Sequence, residues 1–169
     1  VLVQRESFLL PSLDVEMSNL IVAELRSLGI RVEMQAEITE INQKEEKLEA
    51  TLADGRKIDT DLMVLCVGVR PNSDLAKKAG LNLGPRGHIV TDEHLCTSDP
   101  DIYAVGDVIE VKDPIFEGRT AIPLAGPANR QARIAADNIC GGNSEYLGTW
   151  GTSIIKAGNL IAANTGYCE

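Results

Sequence analysis

Thr97-Ser98-Asp99-Pro100-Asp101-Ile102-Tyr103-Ala104-Val105-Gly106-Asp107 reads as a turn, a short buried strand, and a Gly-Asp pair where that strand ends. Asp99-Pro100-Asp101 is turn chemistry, because proline presets φ and aspartate side chains bond nearby backbone. Ile102 to Val105 is an apolar run of strand length, rich in β-formers. A carboxylate just past the carboxyl end of such a strand sits where open α/β sheets bind ligands. Gly106 has no Cβ, so a ligand can approach the backbone there. An ordinary strand followed by a turn aspartate gives the same letters, and spacing alone does not separate the two.

Upstream, Val1-Leu2-Val3 reads as the end of a strand and Pro11 marks a loop. From Asp14 the pattern turns helical, with Met17, Leu20, Ile21, Leu25 and Leu28 on one face. Asp14 or Ser12 can cap its start, and Gly29 suits the position after its end. Ile30 to Met34 then alternates like a strand, which makes β-α-β, the unit of a parallel sheet. Ile38 to Ile41, Leu48 to Leu52 and Lys57-Ile58 are further strands, with a hairpin signal at Asp54-Gly55. Leu62 to Val67 is a continuous apolar run, expected of a strand covered on both faces, so Cys66 within it should be buried. Ser73 can cap a short helix through Ala79, and a glycine-punctuated loop leads to Ile89-Val90. A looser stretch follows Asp107 as far as Arg119. Pro127 to Cys140 reads as a helix with Ala128, Ala132, Ile134, Ala135 and Ile139 available for packing, ended by Gly141-Gly142.

The chain has 169 residues, 44% of them hydrophobic and without a low-complexity tract, which disfavours disorder. Its 16 basic and 25 acidic side chains give a net charge of -9, which disfavours nucleic acid and anionic membranes as partners. No apolar run is long enough to span a membrane. Cys66, Cys96, Cys140 and Cys168 are widely spaced without a C-x-x-C, so no metal site is supported. His88 and His94 stand in polar surroundings and read as exposed and non-catalytic.

Four stretches in order carry a resemblance: Thr97 to Asp107, Cys66-Val67-Gly68-Val69-Arg70-Pro71-Asn72, Pro123 to Arg133, and Gly151-Thr152-Ser153-Ile154-Ile155-Lys156. They resemble the FAD-dependent pyridine nucleotide-disulfide oxidoreductases, in the subgroup of coenzyme A-disulfide reductases, NADH oxidases and NADH peroxidases. The resemblance implies an α/β fold, part of a flavoprotein with two Rossmann-like dinucleotide-binding domains, with the first strands of an α+β interface domain. Residues 1–70 would be the C-terminal part of the NAD(P)-binding domain, 71–148 the C-terminal part of the FAD-binding domain, and 149–169 the start of the dimerisation domain. No G-x-G-x-x-G occurs, and none of the four cysteines matches the family's redox cysteine. The chain is therefore expected to be an internal fragment, with the redox cysteine outside it and no catalytic residue within it.

The resemblance implies FAD and NAD(P)H as cofactors. For FAD it points to Gly106 and Asp107, the aspartate holding a ribityl hydroxyl, and to Leu124, Ala125 and Ala128 at a helix start facing the flavin. For NAD(P) it points to Gln4, Arg5, Gly68 and Val69. Gln4 stands where many members have an acid that accepts from the ribose hydroxyls of NAD, and Arg5 can make a bidentate contact with a 2′-phosphate. This favours NADPH, while a solvated surface arginine is the plainer reading. Arg70 and Asn72 could stabilise a turn between domains and are given no chemistry. The implied activity is hydride transfer from NAD(P)H through FAD to a disulfide such as coenzyme A disulfide, to oxygen or to peroxide. The implied setting is a cytoplasmic homodimer acting on small molecules. The alternatives are a non-catalytic nucleotide-binding or chain-pairing module, and a flavin reductase serving a ferredoxin-like partner.

Overall fold

The computed structural model describes residues 1–168. Strand β1 (Leu2–Val3) and strand β2 (Val32–Glu33) pair in parallel, Leu2 opposite Val32, with helix α1 (Val15–Ser27) between them. The expected β-α-β unit is thus present, and Gly29 takes φ +80° just after the helix. Strands β3 (Ile38–Lys44), β4 (Lys47–Leu52) and β5 (Lys57–Thr60) form an antiparallel meander, with Asp54-Gly55 in the β4–β5 turn as expected. Helix α2 (Asp74–Lys78) and strand β6 (Ile89–Val90) follow. A 3₁₀ turn at Gly106–Val108 leads into strand β7 (Ile109–Lys112), which pairs in parallel with β6 and antiparallel with β8 (Arg119–Thr120). Helix α3 (Ala125–Ile139) precedes a hairpin of β9 (Ser153–Ala157) and β10 (Leu160–Asn164).

The chain divides into two compact units, one of Gly68–Thr152 and one of Val1–Val67 with the segment from Ser153 onward. In the latter, Leu9, Leu13, Ile21, Val22 and Val32 form the core, and Ala157 and Ala162 of the hairpin pack on it. Asn159 at the hairpin tip donates its backbone N–H to Glu24 Oε1 of α1 at 2.8 Å. The Gly68–Thr152 unit is built on Ala76, Ile89, Leu95, Ile109, Val111, Ala135 and Tyr146. Burying each valine, leucine or isoleucine among these contributes roughly 1.5–3 kcal/mol.

Several sequence expectations are overturned. Ile102 to Val105 is half-buried extended chain rather than a buried strand. Its backbone is spent on the preceding loop: Thr97 N–H donates to Ile102 C=O at 2.9 Å and Ala104 N–H to Leu95 C=O at 3.1 Å. The regular strand comes after Asp107, as β7, in the stretch expected to be loose. Leu62 to Val67 forms no ladder among the described residues; Cys66 is exposed, and Val67 is 90% exposed. An apolar run tells what would suit a covered strand, and among the described residues no neighbouring strand covers it.

Helix α1 turns Ser18, Ile21 and Val22 inward, while Met17, Leu20 and Leu28 are exposed. At 100° per residue the two sets occupy different arcs, and Ser18 can go inside because Leu9 satisfies it. Its hydroxyl donates to Leu9 C=O at 2.7 Å and accepts from Leu9 N–H at 3.0 Å. Helix α3 likewise buries Gln131 and Asn138 with Ala135, whereas Ala132 and Ile139 are exposed. Asn138 is held by His94 C=O and Ser144 C=O, both at 2.9 Å, and by Ser144 N–H at 2.7 Å. Ser73 does not cap α2; its hydroxyl donates to Gly87 C=O at 2.6 Å. His88 and His94 are half-buried, not exposed, and His94 Nδ1 lies 3.1 Å from Ser144 C=O.

Candidate functional site

The Gly106-Asp107 turn lies against the first turns of α3, both in the Gly68–Thr152 unit. Gly106 takes φ +85°, a left-handed conformation that side chains disfavour. Its N–H donates to Gln131 Oε1 at 2.7 Å. A Cβ built on Gly106 would lie 3.9 Å from Ala128 Cβ, an ordinary contact, so φ rather than space calls for glycine there. Asp107 is exposed, and among the described residues its carboxylate makes no hydrogen bond or ion pair. It precedes strand β7 rather than ending a strand, which corrects the sequence reading of its position.

Leu124 is the N-cap residue of α3, in extended conformation at φ −132° and ψ 143°, with no side-chain cap. An apolar side chain there cannot accept a hydrogen bond. The N–H groups of Ala125 and Gly126, which no helical carbonyl can reach, remain available with their partial positive charge. Pro127 has no N–H to offer. Ala128 contributes its methyl group only, because its N–H already donates to Leu124 C=O at 3.2 Å. A cleft of about 460 Å³ runs beside this helix start, lined by Gly126, Pro127, Arg130, Tyr146 and Trp150 among others.

In the other unit, Gln4 and Arg5 follow β1 at the carboxyl end of the parallel pair. They line a cleft of about 480 Å³ with Val3, Glu6, Ala36 and Ile38. Gln4 is fixed by its backbone: its N–H donates to Glu33 C=O at 2.8 Å and its C=O accepts from Ala36 N–H at 3.0 Å. Arg5 is exposed and pairs with Glu6 at 3.1 Å. Gly68 takes φ +96° and Val69 is 75% exposed; both belong to the Gly68–Thr152 unit, apart from Gln4 and Arg5. The structure therefore gathers Gly106, Asp107, Leu124, Ala125 and Ala128 within one unit, and divides the four nucleotide candidates between two. Gln131 and Glu6 escaped the sequence reading. The contact of Gln131 with Gly106 joins residues 25 apart and leaves no local signal in the sequence.

Residues 1–132 match the family model described as pyridine nucleotide-disulphide oxidoreductase. The chain belongs to the pyridine nucleotide-disulphide oxidoreductase family. It is 38% identical over 154 residues to an NADH oxidase of Methanocaldococcus jannaschii, covering 91% of this chain and 34% of that protein. It is 36% identical over 167 residues to a CoA-dependent NAD(P)H sulfur oxidoreductase of Pyrococcus furiosus, covering 98% of this chain and 37% of the relative. The structure of reduced CoADR-RHD from Bacillus anthracis superposes with a TM-score of 0.93 at 42% identity, covering 99% of this chain and 30% of that one. The chain spans about a third of the length of the curated relatives it matches. Among its described residues, no helix is long and apolar enough to cross a membrane.

Proposed function

We propose that this chain forms part of a flavin-dependent oxidoreductase that passes a hydride from NAD(P)H through FAD to a disulfide, oxygen or peroxide. The observation that carries the reading is the Gly106-Asp107 turn seated on the start of α3, with a free carboxylate beside uncapped helical N–H groups. FAD, once bound, supplies the two-electron chemistry. The chain's own residues bind and tune it. Asp107 accepts from a ribityl hydroxyl, a charge-assisted bond worth roughly 1.5–3 kcal/mol. The Ala125 and Gly126 N–H groups stabilise negative charge that develops on the ring when it is reduced. Gln4 and Arg5 orient the nucleotide at the carboxyl end of β1.

Residues 1–70 would then belong to the NAD(P) domain, 71–148 to the FAD domain and 149–169 to an interface domain of a cytoplasmic homodimer. The ends of the compact unit Gly68–Thr152 fall within a few residues of those borders and support the middle assignment. The names of the relatives support a sulfur-containing acceptor linked to coenzyme A.

Asp107→Ala in the full-length flavoprotein tests the reading. Flavin affinity, measured by fluorescence titration of the apo-protein, is expected to fall by roughly 10–100-fold. An unchanged affinity would remove Asp107 from the site and the reading with it.

A further inference from the structure

The Asp107 carboxylate has no partner of its own among the described residues, so its direction is inherited from the backbone that precedes it. That backbone is Gly106, held at φ +85° with its N–H on Gln131 Oε1 at 2.7 Å. Gln131 is 4% exposed, which restricts its side chain to few rotamers. Ala128 stands three residues earlier on the same face of α3, its Cβ 3.9 Å from where a Cβ on Gly106 would lie. The hydrogen bond from Gly106 to Gln131 fixes the orientation of the turn on the helix. We propose that Gln131 is a positioning residue: it locks the Gly106 peptide so that the Asp107 carboxylate faces the ribityl chain. The proposal rests on the flavin reading above.

The amide oxygen of Gln131 is the working atom. A side chain of similar length without an acceptor leaves the Gly106 N–H unpaired and frees the turn to rotate. Glutamate restores the acceptor at the same place. Gln131→Met, Gln131→Asn, Gln131→Glu, Asp107→Ala and the double variant Asp107→Ala/Gln131→Met are compared in the full-length protein. FAD dissociation constants come from titration of the apo-protein, and apo-protein melting reports folding. Both Gln131→Met and Gln131→Asn, whose amide is one methylene short, should lose FAD affinity by about three- to tenfold. Gln131→Glu should stay within about twofold of the parent on the same reasoning. The double variant should bind no more weakly than Asp107→Ala, because Gln131 acts through that carboxylate. Wild-type affinity in folded Gln131→Met or folded Gln131→Asn overturns the proposal. So does a double variant whose loss is the product of the two single losses, or a Glu variant as weak as Met. If Asp107→Ala itself changes nothing, the flavin reading is what has failed; if Asp107→Ala weakens binding and Gln131→Met does not, this inference alone has failed.

Discussion

At the scale of single residues, Arg5 poses the sharpest question. Its guanidinium pairs with Glu6 at 3.1 Å while both side chains stay more than half exposed, 73% and 53%. An exposed pair of this kind contributes about 0–1 kcal/mol, so it gives way readily to a phosphate that offers Arg5 a bidentate partner. Gln4, fixed through its backbone beside Arg5, brings no charge to repel that phosphate. The expected outcome is a preference for NADPH, or no strong preference for NADH, in steady-state kcat/KM of the full-length enzyme. Arg5→Ala should then lower kcat/KM for NADPH by about tenfold and leave NADH nearly unchanged. A strong NADH preference that Arg5→Ala does not alter would show that Arg5 does not read the phosphate.

At the scale of elements, the β3–β4–β5 meander carries an electrostatic clamp. Glu49 on the central strand is 6% exposed and lies between Lys44 of β3, at 2.5 Å, and Lys57 of β5, at 2.9 Å. Hydrogen bonds from Lys44 and then Lys57 hold its carboxyl below the usual range, against the opposing effect of burial. Asp54 and Glu33 are lowered in the same way by Arg56. A carboxyl whose folded value is depressed contributes stability that is complete above its unfolded value. That contribution is lost as pH falls through the folded value, which lies below the ordinary carboxylate range. Urea unfolding followed against pH should show this acid limb, and Glu49→Gln should flatten it while lowering stability near neutrality. An unaltered limb in Glu49→Gln would mean that the two lysines do not clamp this carboxylate. The meander was legible in advance, because alternation and an Asp54-Gly55 turn are local signals. So were α1, α3 and the β-α-β unit. What the letters hid were polar side chains turned inward, Ser18, Gln131 and Asn138, each satisfied by backbone distant in sequence. Ile102 to Val105 misled for a related reason: its composition suits a strand, but its hydrogen bonds go to the loop at residues 95–97. Within the site, the family motif indicated Asp107, whereas the contact that seats it joins residues 25 apart and carries no local signature.

At the scale of the whole molecule, the 169 residues hold candidate contacts for the ribityl chain and the flavin ring but none for the pyrophosphate of FAD. That group calls for a glycine-rich turn at a helix N-terminus, and no G-x-G-x-x-G occurs in the chain. Asp107 and the α3 start alone forgo the pyrophosphate and adenine contacts, a loss of several kcal/mol, and each 1.4 kcal/mol is about tenfold in affinity. Meanwhile Leu62, Val64, Leu65, Val67 and Val69 are all at least 60% exposed in a run without a ladder partner among the described residues. Unpaired apolar backbone of this kind recruits other strands, and the net charge of -9 opposes that only at low ionic strength. The 169-residue chain, expressed by itself, is therefore expected to keep no stoichiometric FAD, to oxidise no NAD(P)H, and to self-associate more as salt is raised. Incubation with FAD, desalting, and an absorbance spectrum across the flavin bands measures the first; light scattering against salt concentration measures the last. A yellow, active and monodisperse chain would show that these residues bind the pyrophosphate by a route that needs no glycine-rich turn, and would overturn the division of labour drawn here between Asp107, α3 and the rest of the enzyme.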